Sequence, residues 1–332
     1  MTETVLAGPQ AGEFAALAAP HRRELLVHCY RMLGSVHDAE DLVQETLLRA
    51  WRAYDRFEGR SSLRTWLYRI ATHACLRALE NRGRRPMPSG LGGPSGDPGG
   101  PLEEPPQEVL WLQPLPDALL SADPAQIASS REGTRLAFAA ALQHLPARQR
   151  AVLILRDVLG WRAAEVAELL DTSTAAVNSA LQRARAQLEQ AGPAEDTLVE
   201  PTDPERRALL DKFVAAFANS DAEALTRILR DDAVLEMPPF TSWFAGAGAI
   251  VRFMDAQGFA ACGGVPMIRT TANGQPALAS YQRCTDGVCR PHGIHVLTLT
   301  ATGIARIRTF LDPGLFPTFD LPIALPGGDR RA

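Results

Sequence analysis

The chain has 332 residues, 46% of them hydrophobic and 22% charged, which excludes a wholly disordered protein and predicts two or three domains. The formal net charge of −4 argues against indiscriminate coating of nucleic acid, although it leaves room for local binding faces. No apolar run reaches the ~18 residues of a membrane span, and the first residues do not resemble a signal peptide, so we expect a cytoplasmic protein without a membrane partner.

Residues 12–85 are predicted to form the first helical domain. Ser35, followed three residues later by Asp38, resembles a capping box that would start a helix. A second apolar stripe predicts another helix between Ser62 and Arg82. In the first helix, apolar residues recur every three or four positions and are expected on one buried face: Leu42, Val43, Leu47, Ala50, Trp51 and Tyr54.

Residues 86–130 are predicted to form a flexible, acidic linker. The stretch 83–108 is so rich in proline and glycine that no helix or strand should persist there. Residues 86–130 contain no basic side chain. The segment EVLWLQPLPDALL, residues 108–120, carries a tryptophan and several leucines between prolines, so we expect it to dock on a neighbouring surface.

Residues 131–192 are predicted to form a second helical domain that ends in a helix-turn-helix. A short amphipathic helix from Ala163 to Leu170 is followed by a polar turn and a longer helix, with Ser173 as its expected N-cap. The alternative is a helical hairpin with a solvated polar face. If the motif binds DNA, the outward side chains are Ser173, Thr174, Asn178, Gln182, Arg183 and Arg185.

Residues 203–325 are predicted to form an α+β domain. Two helices, the second of them short, precede β-strand patterns, and the turns between the strands contain Asn273-Gly274, Thr285-Asp286-Gly287 and Thr302-Gly303. This order predicts two helices followed by an antiparallel meander.

Two blocks of the sequence resemble the extracytoplasmic-function (ECF) sigma factors of the sigma-70 family. The block from LGSVHDAEDLVQETLLRAW to LENRGRR resembles sigma region 2, and LPARQRAVLILRDVLGWRAAEVAELLDTSTAAVNSALQRARAQL resembles region 4. The motifs WLQPLPD, WFAGAGAI and FLDPGLFPTFDLP resemble the SigG-like branch, which carries a C-terminal SnoaL-like domain. The resemblance implies a multidomain fold: a region 2 helical bundle, a region 4 helix-turn-helix and an α+β SnoaL/NTF2-like cone.

The resemblance implies a sigma factor that binds core RNA polymerase and directs it to promoters by recognising −10 and −35 elements, with no catalysis of its own. The polymerase-binding residues would be an acidic polar row on the first helix: Asp38, Asp41, Gln44 and Glu45. The alternative for such a row is a solvated helix face.

The resemblance also implies two DNA contacts. The melted −10 strand would meet basic and aromatic side chains on the second helix, namely Arg64, Tyr68, Arg69, His73 and Arg77. Trp66 lies on the buried stripe and is expected in the core. The family usually has asparagine where His73 stands, which leaves the −10 base preference open. The −35 duplex would meet the outward side chains of the helix-turn-helix.

The C-terminal domain is expected to be regulatory, through a small-molecule ligand or an intramolecular contact. An enzyme of this fold would use an Asp/His pair inside the cone, for which Asp231, Asp232, His292 and His295 are available. The two aspartates follow a helix, where capping is common, and the histidines, three residues apart on a strand, should face opposite sides. We therefore expect no catalytic residues.

The cysteines do not predict a disulfide framework, because their number is odd and they are scattered: Cys29, Cys75, Cys262, Cys284 and Cys289. Cys284 and Cys289 flank a hairpin turn and would face each other if the loop has four residues, which leaves a disulfide or a zinc site open. The interpretation we favour is two ordinary strand residues, with no metal and no cofactor.

Two other functions remain open at this point. One is a helix-turn-helix regulator that binds DNA without polymerase, although such a protein has no need of the acidic and arginine-rich helices before the linker. The other is a SnoaL-like enzyme tethered to a DNA-binding module, which a polar constellation inside the cone would favour.

Overall fold

The computed structural model describes residues 9–80, 83–120, 135–191, 202–262, 264 and 267–326. The chain divides into two compact units. The first unit contains Met1–Arg85 and Ala118–Gly192, and the second contains Pro86–Asp117 and Pro193–Ala332. Most of the expected linker therefore belongs to the second unit.

The first half of the first unit is a helical bundle. Its helices are α1 (Pro9–Ala18), α2 (Arg22–Leu33), α3 (Val36–Ala53) and α4 (Leu63–Glu80). Gly34 ends α2 with a φ of 71°, a conformation that glycine adopts without steric cost. Ser35 then starts α3, because its Oγ accepts a hydrogen bond from the Asp38 backbone N–H at 3.2 Å. The predicted cap is confirmed.

The second half of the first unit contains the helix-turn-helix. Its helices are α5 (Leu136–Leu142), α6 (Ala147–Leu153), α7 (Ala163–Leu169) and α8 (Thr174–Ala191). The predicted N-cap of α8 is confirmed, since Ser173 Oγ accepts from the Ala176 N–H at 3.2 Å. Val177, Leu181 and Ala184 are buried, as their spacing predicts.

The two halves of the first unit pack directly on each other. The guanidinium of Arg150 in α6 is buried and donates to the backbone carbonyl of Met32, the penultimate residue of α2. The same guanidinium also donates to Gln143 Oε1 at 2.8 Å within its own half. The ring of Tyr68 in α4 meets the ring of Trp161 edge-on, with 5.7 Å between the centroids.

The second unit is an α+β fold with helices packed against a sheet. Its helices are α9 (Asp203–Asn219), α10 (Ala222–Ile228), α11 (Ala247–Phe253), α12 (Phe259–Cys262) and α13 (Leu315–Thr318). Its strands are β1 (Leu229–Glu236), β2 (Trp243–Ala245), β3 (Met267–Ala272), β4 (Gln275–Arg283), β5 (Val288–Thr300), β6 (Gly303–Phe310) and β7 (Leu325–Pro326).

The sheet order is β2-β1-β6-β5-β4-β3, with β7 paired to β5. The strands β3 to β6 form the expected antiparallel meander, but β1 pairs with β6 in parallel, so the sheet is mixed. The core lies between the sheet and α9, α10 and α11, and its side chains include Phe213, Phe217, Leu225, Ile250, Leu297 and Ile307.

The segment Pro86–Asp117 is held against the rest of the second unit. Most of the hydrogen bonds that hold it involve the backbone of the segment. Near its start, Ser89 donates from its backbone N–H and its hydroxyl to Glu236 Oε1, at 3.2 and 2.7 Å. Near its end, Leu115 and Asn273 exchange two hydrogen bonds of 2.8 Å. The expected docking of the WLQPLPD segment is thus observed, whereas the rest of the segment differs from a freely flexible linker.

Candidate nucleic-acid and partner interfaces

The acidic row on α3 is partly occupied by internal ion pairs. Asp38 Oδ2 lies 2.6 Å from Arg85 Nη2, and Glu45 pairs with Arg49 one turn later. Asp41 and Gln44 are exposed on the outer face. The four predicted residues therefore lie on one side of the helix, with Asp41 and Gln44 exposed and Asp38 and Glu45 half-buried.

The same side of α3 carries two exposed apolar residues that the sequence analysis did not place there. Leu48 is 44% exposed and Trp51 is 46% exposed. The prediction that Trp51 lies on the buried face was wrong, because in a helix it is rotated about 100° from buried Ala50. Asp41, Gln44, Leu48 and Trp51 follow one another at three- and four-residue intervals; we call these four residues the α3 stripe.

On α4, the predicted DNA-binding residues divide into an internally bonded pair, half-buried Arg64 and buried Tyr68, and an outward row. Arg64 Nε donates to Glu24 Oε2 at 2.7 Å, and its guanidinium lies 5.0 Å from the centre of the Tyr68 ring. Tyr68 is buried, and this burial raises the pKa of its hydroxyl. Its ring is covered by His28 and Trp161, so the structure does not present it to a DNA strand.

Arg69, His73 and Arg77 form the exposed row of α4, spaced four residues apart along one side of the helix. Arg69 and Arg77 are exposed, and His73 is half-buried. Arg69 Nη1 lies 3.8 Å from Glu168 Oε1 in α7, a loose ion pair between exposed groups that contributes little to stability. The row therefore places two positive charges on the surface of α4.

On α8, the structure exposes every predicted DNA-binding residue. Ser173 already uses its hydroxyl as the helix cap. Arg185 forms two parallel hydrogen bonds with Asp157, of 2.8 and 2.7 Å. Arg183 is exposed and forms no ion pair within the described residues. Thr174, Asn178 and Gln182 repeat every four residues, so they lie on one exposed face of the helix.

The interior of the second unit does not assemble the Asp/His pair of an enzyme. Asp231 and Asp232 are exposed on β1, and Asp232 pairs with Arg230 at 2.8 Å. His295 is buried, its two ring nitrogens lie 2.9 Å from Thr309 Oγ1 and 2.8 Å from Ser280 Oγ, and burial together with neighbouring His292 lowers its pKa to about 3. The imidazole is therefore neutral and fully hydrogen-bonded.

The expectation that His292 and His295 face opposite sides was wrong, because both line one cavity. The register of β4 and β5 explains the difference: Ser280 pairs with Gly293, whereas Tyr281 pairs with Pro291. His292 is thus the extra residue of a β-bulge, which shifts the alternation of side chains by one position.

The cysteine hairpin also differs from the expected register. Arg283 stands opposite Cys289, and the Cys284 N–H donates to the Val288 carbonyl inside the turn. The two cysteines therefore do not face each other as a cross-strand pair, and neither forms a disulfide. In the part of the chain that the structure describes, no cluster of His, Cys, Asp or Glu is suited to hold a metal ion.

Comparisons with known proteins identify the family of the chain. Family models match Sigma-70 region 2 over residues 17–85, Sigma-70 region 4 over residues 135–188 and the Nuclear transport factor 2 (NTF2) domain over residues 205–281. The ECF RNA polymerase sigma factor SigG of Mycobacterium tuberculosis is 55% identical over 322 residues, which cover 96% of this chain and 86% of SigG. The chain belongs to the ECF RNA polymerase sigma factors.

A second relative of this sigma factor is SigJ of Mycobacterium tuberculosis, 29% identical over 254 residues, which cover 74% of this chain and 72% of SigJ. The crystal structure of SigJ aligns with a TM-score of 0.57 at 24% identity, covering 94% of this chain and 99% of that one, and it supports the same fold. The predicted family and fold class are confirmed.

As an ECF sigma factor, the protein is a promoter-directing subunit that works with core RNA polymerase and promoter DNA. The match to region 2 excludes the alternative of a helix-turn-helix regulator that acts without polymerase. Among the described residues, no helix is long and apolar enough to cross a membrane.

Proposed function

We propose that the sigma factor binds core polymerase through the α3 stripe, flanked by Asp38 and Glu45. The observation that carries this proposal is the exposure of Leu48 and Trp51 beside Asp41 and Gln44. Protein interfaces combine buried tryptophan anchors with polar groups at the rim, and the stripe offers both kinds of side chain. The cytoplasm, where transcription takes place, is the proposed site of action.

We propose that the exposed row of α4 contacts the −10 element. Arg69 and Arg77 would bind the backbone of the melted strand, and His73 would lie next to the bases. Arg64 and Tyr68 would support this face from inside, because Glu24 orients the guanidinium of Arg64 over the Tyr68 ring. A direct contact of Tyr68 with a base requires the cover of Trp161 to be removed first.

For the −35 element, we propose that α8 inserts its first turns into the major groove. Ser173, Thr174, Asn178 and Gln182 would read base edges or fix the helix start, and Arg183 and Arg185 would hold phosphates. The exposure of all six side chains supports this division.

Arg183→Ala is expected to weaken binding to −35 duplexes nearly uniformly across sequences and to lower the salt slope by about one unit, because it removes one phosphate contact. Asn178→Ala is expected to change sequence preference instead, by about 1 to 3 kcal/mol at one base pair. Fluorescence anisotropy with matched and mismatched duplexes measures both. Equal losses on both duplexes for both variants would refute the division of roles.

Asp157→Asn is expected to strengthen −35 binding at low salt, since it releases Arg185 from its paired hydrogen bonds. The gain should disappear as salt is raised, because phosphate contacts are screened. The matched control is Asp157→Asn combined with Arg185→Ala, which should bind no better than Arg185→Ala alone. A gain in −35 binding that persists in the double variant would show that it does not come from the release of Arg185.

We propose that the NTF2-like domain is regulatory and not catalytic. It binds most of the segment that joins the two sigma regions, and the carboxylates needed for acid–base catalysis lie outside its cavity. We place the domain limits at residues 12–85, 131–192 and 203–325, with 86–130 as the connecting segment. The domain would thus act by holding or releasing this connection.

Run-off transcription with core polymerase tests the proposal, by comparing the full chain with a truncation that ends at Gly192. Both forms should initiate at shared −10 and −35 elements, and their rates should differ because the truncation removes the surface that holds residues 86–117. Equal rates would contradict the regulatory role and would favour the alternative of a tethered enzyme.

A further inference from the structure

The second unit contains a cavity of about 280 Å³ between α9, α10, α11 and the sheet. It is close in size to the smaller natural ligand pockets, and its wall is mostly aliphatic and aromatic. The apolar lining includes Phe217, Leu225, Leu235, Phe253, Ile307 and Leu311.

The polar groups of this cavity favour a neutral ligand. Among the described residues that line it, there is no Asp, Glu, Lys or Arg. His295 is already bonded to Thr309 and Ser280, so it has no capacity left for a ligand. No described residue forms a hydrogen bond with the His292 ring, and burial lowers its pKa, so at neutral pH the ring offers one donor and one acceptor. A charged ligand would lose its hydration without gaining an ion pair.

The volume limits the size of the ligand. An apolar cavity of about 150 Å³ holds benzene, which has six non-hydrogen atoms. At the same packing, the present cavity holds a molecule of roughly eleven non-hydrogen atoms.

The connecting segment forms part of the wall, because Leu102 lines the cavity. On one side of Leu102, Gln257 Nε2 donates to the Gly100 carbonyl at 2.6 Å, and Gln257 itself lines the cavity. On the other side, the Thr241 N–H donates to the Glu103 carbonyl at 2.8 Å. A molecule inside the cavity therefore touches the segment and one of the side chains that fasten it.

We propose that this cavity binds a neutral, largely apolar small molecule with one hydrogen-bonding group, and that the bound molecule stabilises the docking of residues 98–103. His292 would bond the polar group of the molecule, and Leu102 would cover its apolar part. Any effect of the bound molecule on transcription rests on the proposed regulatory role of the NTF2-like domain. The existence of the binding site does not depend on that role.

Calorimetric titration of the full chain tests the site with three planar aromatic probes of similar size: 1-naphthol, naphthalene and the anion trans-cinnamate. We expect 1-naphthol to bind at least tenfold more tightly than trans-cinnamate and several-fold more tightly than naphthalene. His292→Leu should remove the advantage of 1-naphthol over naphthalene. Equal binding of 1-naphthol and trans-cinnamate, or no binding of either neutral probe, would overturn the site.

A second variant pair tests the wall formed by the connecting segment. Leu102→Ala should weaken 1-naphthol binding several-fold. Leu110→Ala, a change of the same kind at a residue of the same segment that is 38% exposed and does not line the cavity, should have no effect. Circular dichroism checks that each variant is folded. If Leu102→Ala and the unmodified chain bind 1-naphthol with equal affinity, the connecting segment does not form part of the binding site.

Cleavage by a glutamate-specific protease tests the coupling without transcription. Glu103 and Glu104 follow Leu102 directly, so 1-naphthol should slow cleavage there several-fold in the unmodified chain and not in Leu102→Ala. If 1-naphthol binds but the cleavage rate is unchanged, the binding site is retained and the coupling of ligand binding to the docking of residues 98–103 is overturned. A failure of the proposed regulation would show separately, as equal transcription rates of the full and truncated chains.

Discussion

Trp51→Ala is expected to weaken binding to core RNA polymerase by about 30-fold, which corresponds to about 2 kcal/mol. The side chain is 46% exposed on the outer face of α3, beside Gln44 and Leu48, where a partner can enclose it. Leu48→Ala should cost less, about fivefold, because leucine is a weaker interface anchor than tryptophan. Titration of fluorescently labelled sigma factor with core polymerase measures both values.

The matched control is Leu17→Ala on α1. Leu17 and Leu48 are both 44% exposed, and they lie in the same helical bundle, so a general effect of lost apolar surface should appear in both variants. Binding to an isolated −35 duplex should be unchanged in all three. If Leu17→Ala weakens polymerase binding as much as Trp51→Ala does, the α3 stripe is not the interface.

Glu236→Ala is expected to lower the free energy of unfolding of the second unit by about 3 to 5 kcal/mol. The carboxylate is completely buried, and its Oε2 lies 3.1 Å from Arg306 Nη1 and 3.2 Å from Arg308 Nε. Its Oε1 accepts both hydrogen bonds from Ser89. The substitution removes the charge that Glu236 places beside buried Arg308, and it removes an anchor of the connecting segment. Chemical denaturation measures the loss.

Ser89→Ala is the control for this prediction, because it removes one hydroxyl and leaves both ion pairs. It should cost about 1 kcal/mol and act mainly on the connecting segment, seen as faster protease cleavage there. A loss for Glu236→Ala no larger than that for Ser89→Ala would show that the ion pairs contribute nothing measurable.

The same carboxylate makes the second unit sensitive to acid. Burial opposes ionisation of Glu236, but Arg308 and Arg306, together with the Ser89 hydrogen bonds, more than offset it, so its pKa lies below the ordinary value. A lowered pKa means that the stabilisation is complete above the ordinary glutamate pKa of about 4.3 and is lost as the pH falls through the native value. Glu236→Gln should flatten the stability curve in this range.

Local sequence signals predict much of the first unit, which contains the two sigma regions. Ser35 and Ser173 cap their helices as expected, and Val177, Leu181 and Ala184 are buried as their spacing implies. Capping depends on neighbouring residues, and the buried stripe of a helix follows from its period, so both can be derived without knowing the tertiary structure.

The remaining differences come from tertiary contacts. The position of Trp51 depends on which residues its neighbours pack against, and the side of the strand on which His292 lies depends on a bulge that only strand pairing creates. The proline- and glycine-rich segment has no periodic pattern, yet backbone hydrogen bonds to Glu236 and Asn273 hold it in place. Composition alone cannot reveal such contacts.

The packing of the two sigma regions through Arg150, Tyr68 and Trp161 limits how the protein can meet a promoter. The −10 and −35 elements are about 25 base pairs apart, which is roughly 85 Å of duplex. A compact unit of this size has a radius of gyration of roughly 15 Å, so it cannot touch both elements at once. Binding both elements therefore requires the two regions to separate, which costs free energy that binding to a single element does not. Core polymerase can provide this free energy by binding the two regions apart from each other.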